Sequence, residues 1–231
     1  EGTSFVSMAE GLCGFNVAGP RSRALLQKLT DASLETADFP FMRSKRISLA
    51  GLEAIALRVS FTGDLGWEIH CRVEDQAQLY KALLQAGKEL GAGPVGSRAL
   101  MSLRIEKGYG SWSREYSPEY WPHEVGVDRL CKMDKEFLNK TAVAETLARP
   151  KREELVLLHL DEEAVARSNA DATGGEPIFK DGKGIGRVTS GAYGYSVGMS
   201  LALGVVDDQV GVRPDLDRAL LGVHPEQLGR C

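Results

Sequence analysis

Residues 61–71, FTGDLGWEIHC, alternate strictly once the glycines are passed: Trp67, Ile69 and Cys71 are apolar, and Glu68 and His70 are polar. A period of two belongs to a strand with one covered face and one open face. Gly63-Asp64-Leu65-Gly66 reads as the turn that feeds it. The strand needs partners, and the neighbouring segments supply them. LCGFNVAG (12–19) reads as a strand ending at glycine, with Pro20 set for the first turn of a helix through RSRALLQKLT. SKRISLAGLEAIALRVS (44–60) reads as two strands around Gly51. Residues 74–90 carry apolar positions at Ala77, Leu79, Leu83, Leu84 and Ala86, a helical stripe that the GAGPVG segment ends. A further helix, SRALMSLRIEKG, begins with Ser97 as its N-cap and buries Leu100, Leu103 and Ile105. The order β-α-β-β-β-α-α predicts an α+β layer, a sheet covered by helices on one face.

Residues 111–123, SWSREYSPEYWPH, form a long aromatic loop punctuated by proline. LARPKREE (147–154) reads as a linker, and after it the texture changes to short strands and glycine turns, with Asp181-Gly182 as a hairpin signal. This divides the chain into a first domain, residues 1–150, and a small β domain, residues 151–231. The glycines at 182, 184 and 186 have strands on both sides, so they lack the strand-then-helix context of a nucleotide loop.

Of the 231 residues, 43% are hydrophobic and 26% charged, and the net charge is −4. That balance argues against a mainly electrostatic partner such as nucleic acid. No apolar run approaches the length of a membrane span. Cys13, Cys71, Cys131 and Cys231 are widely spaced, a pattern of free, mostly core thiols in a reducing compartment. Cytoplasm and mitochondrial matrix both fit. The four histidines are scattered and show no zinc pattern. The first residue is glutamate, as in a processed or partial chain.

Several charged residues draw notice. Arg98 and Glu106 lie near one side of a helix, about two turns apart. Arg98, Arg104 and Glu106 all read as parts of a solvated helix surface, and Glu68 as part of a wet strand face. Trp112, a large aromatic in a loop, needs a surface to cover.

Taken in order, FTGDLGWEIH, GSRALMSLRIEKGYGSW and PHEVGVDRLCKMDKEFLNKTAV resemble the tetrahydrofolate-binding aminomethyltransferase family. The family includes the T-protein of the glycine cleavage system. NVAGPRSRALLQKLTD and FPFMRSKRISLAG strengthen the likeness to the C-terminal half of sarcosine and dimethylglycine dehydrogenases. The resemblance runs from about residue 5 to about residue 206. It implies ferredoxin-like α/β lobes plus a small C-terminal β-barrel or sandwich, with folate in a central channel. By motif position, it implies that Glu68 holds the pterin ring. Arg98 meets the glutamyl carboxylate of the folate tail or balances Glu68, and Trp112 covers the pterin or benzoyl ring. Phe61 stands near the pterin where relatives often have tyrosine.

The implied activity is capture of the iminium or formaldehyde from N-methyl amine oxidation as 5,10-methylenetetrahydrofolate. FAD would act only in a separate upstream flavin domain. The family aspartate near folate N10 is expected in an N-terminal part absent from this sequence, which leaves the catalytic residue unassigned. The tail after residue 206 does not resemble the family's last strands. Two other readings stay open. One is a non-catalytic regulatory relative, like the regulatory subunit of pyruvate dehydrogenase phosphatase. The other is a T-protein-like aminomethyltransferase.

Overall fold

The computed structural model describes residues 4–160, 171–180 and 182–208. Within it the chain divides between Gly96 and Ser97 into two compact units.

The first unit is built on the alternating strand. Strands β1 (Leu12–Ala18), β2 (Ser44–Leu49), β3 (Leu52–Leu57) and β4 (Gly66–Arg72) form an antiparallel sheet in the order β1-β4-β3-β2. Ala50 and Gly51 join β2 to β3 with φ of 53° and 80°. Positive φ at both turn residues matches the right-handed twist of the strands it connects. Helices α1 (Ser22–Gln27) and α2 (Gln76–Gly87) supply the apolar cover. Trp67, Ile69 and Cys71 meet Leu25 and Leu26 of α1 and Leu79 and Leu83 of α2 in one core. Phe39 packs edge-on against Trp67, with ring centroids 6.4 Å apart.

Helix α1 is shorter than its sequence suggests. Its last turn tightens into i→i+3 bonds from the N–H groups of Lys28 and Leu29. The Gln27 amide then donates to the carbonyls of Thr30 and Ala32, turning the chain away. Pro20 lies just ahead of the helix rather than in its first turn. Ser22 is buried instead and donates its hydroxyl to the Leu65 carbonyl.

The second unit contains α3 (Ser97–Glu106), α4 (Lys140–Leu147), β5 (Glu153–His159), β6 (Pro177–Lys180), β7 (Lys183–Gly194) and β8 (Met199–Asp207). The strands form an antiparallel sheet in the order β5-β8-β7-β6. Every residue from Ser200 to Val206 on β8 is buried. That pattern marks a central strand covered on both faces. On one side Leu201 and Leu203 pack with Ile105 of α3. On the other, Ala202 packs with Val188 and Ala172. The glycine run belongs to the β6–β7 hairpin: Lys180 pairs with Lys183, and Gly182 has φ 76°. Asp181 and the tail from residue 209 lie outside the described residues.

One expectation for α3 is overturned. Ile105 is buried as expected, but Leu100 and Leu103 are only half-buried, while Arg104 and Glu106 are buried. Neither charged side chain lies on a solvated surface. Arg104 is 0% exposed and meets Glu115 at 3.2 Å. Glu106 accepts the Ser196 N–H at 2.9 Å. A buried charge is tolerable when it is paired and hydrogen-bonded, and both partners lie outside the helix that the charges occupy.

Candidate functional site

The open face of the first sheet is set by the same alternation that fills its core. With Trp67 and Ile69 turned toward the helices, Glu68 and His70 must project from the opposite side. In register, Glu68 lies between Asn16 of β1 and Leu57 of β3, and His70 between Gly14 and Ile55. Gly14 leaves room for the imidazole: a Cβ there would come 3.3 Å from the His70 ring. The Glu68 side chain is 41% exposed, and its Oε2 lies 3.8 Å from His70 Nε2. Its carboxylate accepts no hydrogen bond among the described residues. Two acceptor oxygens on a fixed central strand can receive two parallel N–H donors from a flat ligand edge. Phe61 is half-buried in the loop before β4. Arg98 and Trp112 belong to the second unit, where Arg98 is exposed in the first turn of α3 and Trp112 is 84% exposed.

The second unit also holds a cleft of about 490 Å³, lined in part by Lys107, Tyr116, His123, Asp128, Arg129 and Glu154. Among the described residues, neither buried ring nitrogen of His123 has a hydrogen-bond partner, and its ring stacks on Trp121 at 5.7 Å. Sequence reasoning passed over His123, because a lone histidine in a proline-rich loop carries no periodic signal.

Two carboxylates anchor the walls of this unit. Glu115 accepts hydrogen bonds from Ser190, Thr189 and the Ser111 N–H, and pairs with Arg104. Burial pushes its carboxyl up, but these donors outweigh burial and hold it below its ordinary value. Glu124 takes Arg152 Nε and the Arg152 N–H on one oxygen, both at 2.9 Å. Its other oxygen takes Arg152 Nη2 and the Trp121 N–H, both at 2.7 Å. The Arg152 side-chain bonds are the largest cause that lowers its carboxyl to about 2. The charged stretch around residue 150 is therefore fastened at Arg152. Among the described residues no three potential metal ligands cluster, and no helix is long and apolar enough to cross a membrane.

Comparison with known proteins identifies the family. The GCVT N-terminal domain model matches residues 2–135. The glycine cleavage T-protein C-terminal barrel domain model matches residues 154–219, so the likeness reaches past residue 206 into the tail. The chain is 37% identical over 209 residues to mitochondrial dimethylglycine dehydrogenase of Homo sapiens, covering 89% of this chain and 24% of that protein. It is 33% identical over 214 residues to mitochondrial sarcosine dehydrogenase of Homo sapiens, covering 92% and 23%. An aminomethyltransferase of Bacillus subtilis is 30% identical over 195 residues, covering 84% and 52%. The crystal structure of glycine cleavage system aminomethyltransferase T from Bartonella henselae superposes with a TM-score of 0.66 at 25% identity, covering 83% of this chain and 50% of that one. The chain thus spans about a quarter of the dehydrogenases and about half of the aminomethyltransferases. With more than half of its length matched by one family model, the chain belongs to the GCVT N-terminal domain family, as a module related to both the aminomethyltransferases and the sarcosine and dimethylglycine dehydrogenases.

Proposed function

We propose that the chain is the tetrahydrofolate-binding, one-carbon-transfer module of a sarcosine- or dimethylglycine-dehydrogenase-like enzyme. The observation that carries this reading is the Glu68 carboxylate, held on the central strand β4, turned away from the core and accepting no hydrogen bond among the described residues. The residues fit the group. The pterin ring presents an N–H and an amino group side by side, and a carboxylate answers them with paired charge-assisted bonds. A neutral amide would offer one acceptor in place of two.

The chemistry a bound tetrahydrofolate would supply is capture of an iminium or formaldehyde carbon, released from an N-methyl amine, as 5,10-methylenetetrahydrofolate. Generating that carbon would fall to an FAD-bearing domain elsewhere in the longer enzyme. The task of this chain is to bind and orient, and orientation alone can account for much of the rate of such a transfer. Glu68 fixes the ring, and Phe61 offers an apolar flank where no hydroxyl is available. Arg98 and Trp112 enter this reading by motif position alone, as contacts of the folate tail and of an aromatic part of the ligand. In this reading residues 1–150 form the folate domain and residues 151–231 the β domain.

The test is calorimetric titration of 5-formyltetrahydrofolate into the wild type and into Glu68→Gln. The substitution should weaken binding by roughly 1.5–3 kcal/mol, the scale of hydrogen bonds to a charged group. Equal affinities would remove Glu68 from the site.

A further inference from the structure

Cys13 and Cys71 stand 58 residues apart in sequence, yet they are direct partners across β1 and β4, and their sulfurs lie 3.3 Å apart. Both are free thiols. Directly opposed residues in an antiparallel pair have Cα separations of about 4.5–5.5 Å, within the span a disulfide bridges. No strand needs to shift register for the two sulfurs to bond. The two sites differ in access. Cys71 is 2% exposed, in the core beneath α1 and α2. Cys13 is half-buried on β1, at the sheet edge, and its sulfur also reaches the exposed Arg72 carbonyl at 3.8 Å.

We infer that Cys13 and Cys71 form a two-electron oxidation site, in which a peroxide converts the thiol pair into a cross-strand disulfide. Cys13 meets the oxidant. Its sulfur attacks one peroxide oxygen, the O–O bond breaks, and water leaves with the thiol proton, giving a sulfenic acid. The Cys71 sulfur then attacks that sulfenic sulfur, and its proton departs with the expelled hydroxide as a second water. The sum is two thiols and one hydrogen peroxide giving one disulfide and two waters. The assignment of roles follows from burial. Cys71 is shut away from a dissolved oxidant, so it cannot be the first to react. Burial, and then the bond to Cys13, also pushes its thiol up, and the 3.3 Å contact with the Cys13 sulfur is what offsets this when Cys71 acts as the resolving sulfur. The inference stands apart from the folate reading, because both sulfurs face the helices and not the open side of the sheet.

The experiment treats the full 231-residue chain with hydrogen peroxide and maps the products by non-reducing peptide mass spectrometry. The expected result is a Cys13–Cys71 cross-linked peptide pair, 2 Da lighter than its reduced parts and restored by dithiothreitol. The oxidised protein should also melt higher by about 5 °C or more, since the bridge closes a long loop in the unfolded chain. Cys13→Ser, a change at a half-buried position, should fold, give no cross-link and show no rise in Tm. Accumulation of uncrosslinked sulfenic or sulfinic acid at Cys13 would overturn the inference. So would a preference for bridges to Cys131 or Cys231, or for intermolecular dimers.

Discussion

A single carboxylate shows how far one residue can govern a fold. Glu124 is buried, and four donors converge on its two oxygens, three of them from Arg152. The Arg152 guanidinium also lies 4.1 Å from the Trp121 ring centroid, so it is held by stacking as well as by charge. Because the folded carboxyl titrates at about 2 rather than near 4.5, its contribution is complete above pH 4.5 and is lost as the pH falls toward 2. Glu124→Gln should cost about 2 kcal/mol in urea unfolding at pH 7, a figure reduced for the solvent that reaches Arg152. It should also flatten the loss of stability between pH 4.5 and 2. An unchanged acid limb would deny Glu124 this role. The Arg104–Glu115 pair predicts something different. Glu115→Leu leaves a fully buried guanidinium uncompensated and should cost about 3–5 kcal/mol, while Arg104→Met combined with Glu115→Leu should cost much less. Neither pair was legible in the sequence. Arg104 reads as a surface residue when only its own helix is in view. Its partners come from a loop and from Ser190 on β7, and sequence spacing carries no signal for such meetings. Glu68 was legible because strand alternation alone fixes its direction.

At the scale of elements, periodic patterning was readable and local closure was not. The four strands of the first sheet and the β6–β7 hairpin follow from alternation and turn residues. The end of α1 does not, because the Gln27 side chain decides it. The glycines of the hairpin show how chemistry splits a motif that looks uniform. A Cβ on Gly186 would come 2.1 Å from the Val205 carbonyl oxygen across the β7–β8 pair, whereas at Gly184 the nearest atom lies 3.8 Å away, on the Phe179 ring. Gly186→Ala must therefore push β8 aside and should cost about 3 kcal/mol or more. Gly184→Ala should be neutral or slightly stabilising, by up to about 1 kcal/mol, through a less disordered unfolded chain. Chemical denaturation of both variants makes the comparison, and equal effects would contradict the close approach. The two cysteines make a related point. Alternation sets each on the covered face, but only the register between β1 and β4 makes them neighbours.

At the scale of the whole molecule, the described chain holds separate cores in its two units. Trp67, Phe39 and the leucines of α1 and α2 close the first without help from beyond Gly96. A chain of residues 4–96 should consequently keep protected amides in β4 and its neighbours in hydrogen exchange, and loss of all protection would contradict an independent core. The second unit cannot be shortened in this way. Its opening helix sinks an arginine and a glutamate into the interior, and the serines that receive them, Ser190 and Ser196, are encoded some 90 residues later. A ribosome delivers the chain from its N-terminus, and domains settle as units. Glu115 reaches Arg104 early, but the partners at Ser190 and Ser196 arrive only when the chain has passed residue 196. A chain that stopped before residue 190 would lack both serines, and its α3 should leave Glu106 in water instead of in a core.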